Sequence, residues 1–275
     1  MRAEDFLISL TTLPILFSAL HASSVVQCGK FNINQFENKA EITDLDEHPW
    51  IGRIERSDKD GAYAFVCVGV LIGSRHVLTP AHCVARVSPE AVHLIFGDWD
   101  ASNNNTAADC DKGVCAPPGQ LRSVSKITIH PDYKERDHQN DLAVIELDKN
   151  VEFSEYVEPI CLPPAESVTN RSGLIVAGYQ IPEGRPDNSL AYRRHKMKFE
   201  QSENTECHEE SWSDVICWTT DRNPLSGSAL VEASGSPRKY YLDGIVVVSF
   251  NLLGYHRGCL SIRSHLDWIR QNTSQ

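Results

Sequence analysis

The chain has 275 residues, a formal net charge of −11 at neutral pH and nine cysteines. That length suits one large domain or two small ones and lets a fold bury roughly 70–75% of its unfolded surface. The acidic balance, with no basic run, argues against nucleic-acid or anionic-membrane partners, and so many cysteines fit an oxidising compartment, with the odd count leaving one over.

Met1-Arg2 precede an apolar run, Phe6 to Leu20, that ends at the small residues Ala22-Ser23-Ser24. This reads as a secretory signal over residues 1–22. The run is too short for a membrane span, and Pro14 interrupts it. A secreted, extracellular, soluble protein is the expectation. Residues 23–46 are a polar tail with a single cysteine, Cys28. In the stretch Cys67 to Val84, two apolar runs, Val68–Ile72 and His76–Leu78, flank a Gly-Ser turn and predict a hairpin. It ends in Thr79-Pro80-Ala81-His82-Cys83. A bridge between Cys67 and Cys83 would contribute roughly 3 kcal/mol by loop closure and would hold His82 at the mouth of two strands, a sensible place for a general base.

Residues 92–100 alternate weakly and predict another strand. The polar loop that follows carries Cys110 and Cys115 around Gly113. They suit a local bridge; the alternative is half of a Cys-x4-Cys metal site, but no second half with suitable spacing appears, so no metal is expected. Asn104, Asn170 and Asn272 each head a glycosylation triplet. Val124 to His130 predicts a strand. Asp141 then opens the apolar run Leu142–Leu147, where a local turn is one reading of the carboxylate. Leu174 to Tyr179 is apolar, and residues 183–205, with Arg193-Arg194-His195-Lys196, read as a solvated surface. Ser226-Gly227 taken alone is a turn. No internal repeat is evident, and no cofactor motif.

Together these stretches resemble chymotrypsin/trypsin-like serine peptidases, most of all arthropod clip-domain proteases and their serine protease homologues. Thr79–Cys83 resembles the family's LTAAHC, Asn140–Leu147 its NDIALLKL, Glu47–Ile51 its EFPW segment, Leu174–Tyr179 its VAGWG strand, and Ser264–Ile269 its YLDWI helix. The resemblance covers residues 47–272. It implies an all-β fold of two packed six-stranded antiparallel barrels with a C-terminal helix. It also implies a triad in which Ser226 attacks a carbonyl, His82 carries the proton and Asp141 orients the imidazole, in the family's chain order. By the same resemblance Cys28 pairs with Cys161 in Pro159–Pro163, Cys207 pairs with Cys217, and the Cys110–Cys115 bridge is typical. Cys259 is left over, buried in a monomer or linking a dimer. A clip domain would need several upstream cysteines; with one, none is expected.

Three departures bear on activity. Pro224 stands where a glycine N–H serves the oxyanion hole, and proline has no N–H. Leu225 stands where an aspartate pairs with the new amine after activation. The segment that would hold the cleavable IVGG reads Glu37-Asn38-Lys39-Ala40. Thr220, Ser249 and Asn251 take specificity-pocket positions, with threonine in place of the trypsin-type aspartate. The resemblance therefore implies an impaired or non-catalytic regulator of an extracellular proteolytic cascade of immunity or melanisation, with protein substrates or cascade proteins as partners. The alternative is an active secreted endopeptidase.

Overall fold

The computed structural model describes residues 27–102, 107–164, 173–180, 191–199, 214–220, 222–250 and 256–273. Six strands close into an antiparallel barrel: β1 (Ile51–Ser57), β2 (Tyr63–Leu71), β3 (His76–Thr79), β4 (Val92–Phe96), β7 (Gln120–Ile129) and β8 (Ala143–Leu147), in the order β1-β2-β3-β8-β7-β4. A small hairpin, β5 (Cys110–Asp111) and β6 (Val114–Cys115), lies in the loop between β4 and β7. The second half is a six-stranded antiparallel sheet of β9 (Ile175–Gln180), β10 (Ala191–Lys198), β11 (Val215–Thr219), β12 (Ala229–Ser234), β13 (Lys239–Phe250) and β14 (His256–Ser261), ordered β10-β9-β12-β13-β14-β11. The chain closes with helix Leu266–Thr273.

The strands form where β-branched and aromatic residues alternate, because such side chains pack well on a pleated surface. One apolar cluster runs from the barrel (Trp50, Val68, Leu78, Leu94, Val144) into the sheet (Tyr179, Leu225, Val231, Ile245) and on to Ile269 of the helix. The two halves therefore share a core, and the cleft between them has a fixed floor. A second cluster, with Leu174, Trp218, Leu230 and Cys259, fills the other face of the sheet.

The amino-terminal segment is pinned at several points. Cys28 is bonded to Cys161. Gly29 donates its N–H to Pro159 O at 2.8 Å and accepts from Tyr240 N at 3.0 Å. Its backbone is left-handed (φ +67), and an added Cβ would fall 2.3 Å from Tyr240 O, so only glycine fits. A one-turn helix, Ile33–Glu37, is capped by the Asn32 side chain, and Phe31 and Phe36 pack against Tyr240. Further on, Ile42 bridges to His195, Thr43 N donates to Arg194 O at 3.1 Å, and Lys196 N donates to Glu41 O at 2.8 Å. Residues 41–43 thus lie along β10 as an added strand.

One expectation is overturned here. Arg193–Lys196 is not a solvated run but part of β10, and the period of two splits it. Arg193 points outward and pairs with Asp100. Arg194 is 0% exposed, and its guanidinium donates to the carbonyls of Glu47 (2.8 Å), His48 (3.3 Å) and Asp98 (2.8 Å). Lys196 is also buried, with Nζ 2.7 Å from Glu47 Oε1 and 2.6 Å from Gln35 O. Long cationic side chains face inward because fixed carbonyls and one carboxylate wait for them.

Candidate active site

His82 sits in a one-turn helix, Ala81–Val84, entered from β3 through Pro80. Cys83 is bonded to Cys67 on β2, across 16 positions of sequence. The turn is thereby fixed to the barrel, and Thr79 Oγ1 adds a hydrogen bond to Val68 O at 2.9 Å. Asp141 stands just ahead of β8 and is wholly buried. It is held to His82 twice: the backbone N–H of His82 donates to Oδ1 at 2.9 Å, and ring Nδ1 lies 2.6 Å from Oδ2.

A second imidazole shares that carboxylate. His138 Nδ1 lies 3.3 Å from Asp141 Oδ2, and its ring meets His82 edge to face with centroids 5.7 Å apart. His138 and Asn140 both have φ near +50, a left-handed backbone that turns the loop back towards the carboxylate. Burial pushes the Asp141 carboxyl up, but the hydrogen bonds from His138 and His82 outweigh it and hold the group below the usual carboxylate range. The same bond raises His138. Sequence reasoning missed His138, since a histidine three places before an aspartate in a charged loop carries no signal of its own.

Ser226 lies at the junction of the halves. Its carbonyl accepts from Val68 N at 2.8 Å, and Gly227 follows with φ +90 and its N–H on Val246 O at 2.7 Å. A Cβ at Gly227 would fall 1.9 Å from Val68 O, so the serine turn presses directly on the barrel. Among the described residues no hydrogen bond joins Ser226 Oγ to His82; ring Nε2 has Cys83 Sγ at 3.5 Å.

Pro224 pairs with Gln180 and is buried, with no N–H to aim at a carbonyl oxygen. Leu225 is buried in the shared core; its N–H donates to Tyr179 O at 2.8 Å, and its carbonyl accepts from Ser228 N and Oγ. The loop that an ion pair would order is held here by packing and backbone bonds. Arg222 pairs with Glu41, so the loop is also tied to the amino-terminal strand.

Thr220 is half-buried and accepts from Arg222 N at 3.0 Å. Ser249 pairs through its backbone with Arg257 on β14. Asn251, Asn104 and Asn170 lie outside the described residues, as does Cys207 and with it the Cys207–Cys217 pairing. Cys110 and Cys115 are bonded across the small hairpin. Cys259 is a fully buried thiol whose pKa burial drives up; this is the buried alternative read from the sequence, and a chain-linking disulfide would require the sheet to open. Asn272 is engaged within the last helix, its Nδ2 donating to Trp268 O at 2.8 Å.

The family model described as Trypsin matches residues 39–269, and the chain belongs to that family. It is 30% identical to phenoloxidase-activating factor 3 of Holotrichia diomphalia, over 84% of this chain and 71% of the relative. It is 33% identical to phenoloxidase-activating enzyme 1 of Spodoptera litura (90% and 69%) and 29% identical to CLIP domain-containing serine protease HP8 of Bombyx mori (85% and 68%). In shape it is similar to the Drosophila Grass clip serine protease of the Toll pathway, with TM-score 0.75 at 20% identity, covering 92% of this chain and 76% of that one.

Proposed function

We propose that this chain is a secreted serine protease homologue: a peptidase scaffold with most of its triad in place but catalysis impaired, acting as a regulator in an extracellular proteolytic cascade of immunity or melanisation. The observation that carries this reading is Pro224, because hydrolysis needs N–H donors where charge develops on the carbonyl oxygen and this position supplies none. Loss of one such donor typically costs about 10²–10³ in rate. Leu225 and the segment Glu37–Ala40, which lacks the cleavable IVGG, add to it, since both halves of the usual activation switch are missing. The relatives' names supply the cascade: two are phenoloxidase-activating proteins and a third is a melanization protease. Cascade proteases, not nucleic acids or lipids, are the partners this reading calls for.

A second reading is kept by the His82–Asp141 pair at 2.6 Å, which is the arrangement a working base needs. In that reading Ser226 attacks the scissile carbonyl, His82 Nε2 takes its proton and passes it to the leaving amine, and Asp141 stabilises the imidazolium. Reaction with a fluorophosphonate probe separates the two. Weak or no labelling of Ser226 is expected of the purified protein; rapid stoichiometric labelling, lost in Ser226→Ala, would overturn the impaired reading.

A further inference from the structure

Two imidazoles and a carboxylate converge at His82, His138 and Asp141: one ligand atom from each lies within 4.8 Å of the others. A triad needs one imidazole on its carboxylate. The second is not required by the chemistry of acyl transfer, yet the backbone adopts an uncommon left-handed conformation at His138.

We propose that His82, His138 and Asp141 form a binding site for a borderline divalent cation of the zinc class, which holds the site silent when bound.

The donor set selects the ion. Two imidazole nitrogens and one carboxylate oxygen suit zinc and its neighbours and exclude calcium and magnesium, which take oxygen shells. Zinc ligands at about 2.0–2.1 Å stand about 3.3 Å apart in a tetrahedral shell. His138 Nδ1 is already at that spacing from Oδ2, at 3.3 Å, while His82, at 2.6 Å, has to ease outward. The side chains of His82 and His138 are 26% and 37% exposed, so an ion can arrive from solvent, and Asp141 sits buried beneath them. The fourth position is left for water or for a group on a partner. Cys67 and Cys83 also lie close to His82, but their sulfurs are joined to each other and offer no thiolate.

The consequence for the site follows from the proton inventory. A neutral imidazole that gives Nδ1 to the ion keeps its one proton by moving it to Nε2. His82 Nε2 then cannot accept the Ser226 proton, and Asp141 spends its charge on the cation. The proposal rests on these three side chains and not on the reactivity of Ser226, so it stands or falls apart from the reading above.

The test uses the disulfide-intact protein, stripped by chelator, titrated with Zn²⁺ in a calorimeter and with Co²⁺ as a visible reporter. One ion per chain is expected, with cobalt bands of nitrogen and oxygen ligation and no thiolate charge-transfer band. His138→Gln and His82→Gln should each weaken binding by at least the roughly 10–100-fold seen when supporting groups around a metal are lost. Ser226→Ala should leave it unchanged. His138 is part-exposed, and circular dichroism checks that the variant is folded. Zn²⁺ affinity unchanged in both histidine variants, or no binding by the parent, would overturn the proposal.

Discussion

The backbone N–H of Thr43 donates to the carbonyl of Arg194 across 3.1 Å, and the Arg194 side chain reaches back from the same strand to Glu47 O and His48 O. One residue thus binds the amino-terminal strand with its main chain and the segment after it with its guanidinium. Replacing it with an apolar side chain, Arg194→Met, takes a charged donor from three buried carbonyls; His48 O keeps the Ile51 N–H and Asp98 O the Tyr179 hydroxyl, so Glu47 O bears the full loss. A loss of about 3–5 kcal/mol is expected by urea denaturation, with earlier tryptic cutting near residue 39. The exposed neighbour Arg193→Ala should change stability by less than about 1 kcal/mol. Equal effects for the two would show that the alternation along β10 is not what anchors the segment.

That alternation also marks the limit of reading by composition. Four basic or polar residues in a row look solvated because cations are seldom buried; only the carbonyls of Glu47, His48 and Asp98, far away in sequence, make an inward Arg194 favourable. The His82 hairpin was legible as a local pattern of apolar runs, turn and cysteines, and the Asp141 strand as the apolar run 142–147 behind a turn residue. His138 was not, since its meeting with Asp141 depends on backbone angles at His138 and Asn140 that no local rule specifies.

Restoring activity should require more than one change. Pro224→Gly returns a donor but not the loop's anchor. Leu225→Asp alone places an unpaired carboxylate in the shared apolar core and should destabilise the fold by about 3 kcal/mol or more. Both changes together, with a cleavable IVGG segment at 37–40 and after cleavage, should raise peptidase turnover by orders of magnitude, read with a panel of chromogenic peptides. Substantial and equal turnover in the parent and in the full reversion would show that the loop is not the cause of impairment.

Asp98 should give the fold a distinct pH dependence. Burial pushes its carboxyl up to about 6, with Arg53 opposing and Asp109 adding to the rise. An unfolded aspartate titrates near about 3.9, so between about pH 4 and 6 the folded chain holds a proton that the unfolded chain has released. By linkage, this group makes the fold less stable as pH rises through that window, by about 3 kcal/mol in all. Asp98→Asn removes the titration. Its stability relative to the parent should climb across the window and level off above it, in urea denaturations at stepped pH. Parallel pH profiles would rule the group out as the source.

The Cys259 thiol should be inert in the folded chain. It is fully buried among Leu174, Trp218 and Leu230, so iodoacetamide should modify it only after unfolding. Peptide mass mapping reads the site directly. A Cys259→Ser variant should run on non-reducing gels as the parent does; a dimer band in the parent alone would contradict the burial.

The strand at residues 41–43 carries one more implication. In a zymogen, an upstream cut sets the moment at which a protein begins to act, because a new chain end swings into place. Here residues 41–43, just past the positions 37–40 where that end would form, are already hydrogen-bonded along β10, and Leu225 offers no charge to receive an amine. Under the proposed function cutting would have little left to rearrange there, and timing would pass from proteolysis to abundance. On that reading such a chain would work as a graded input, its influence rising and falling with how much of it is made and cleared.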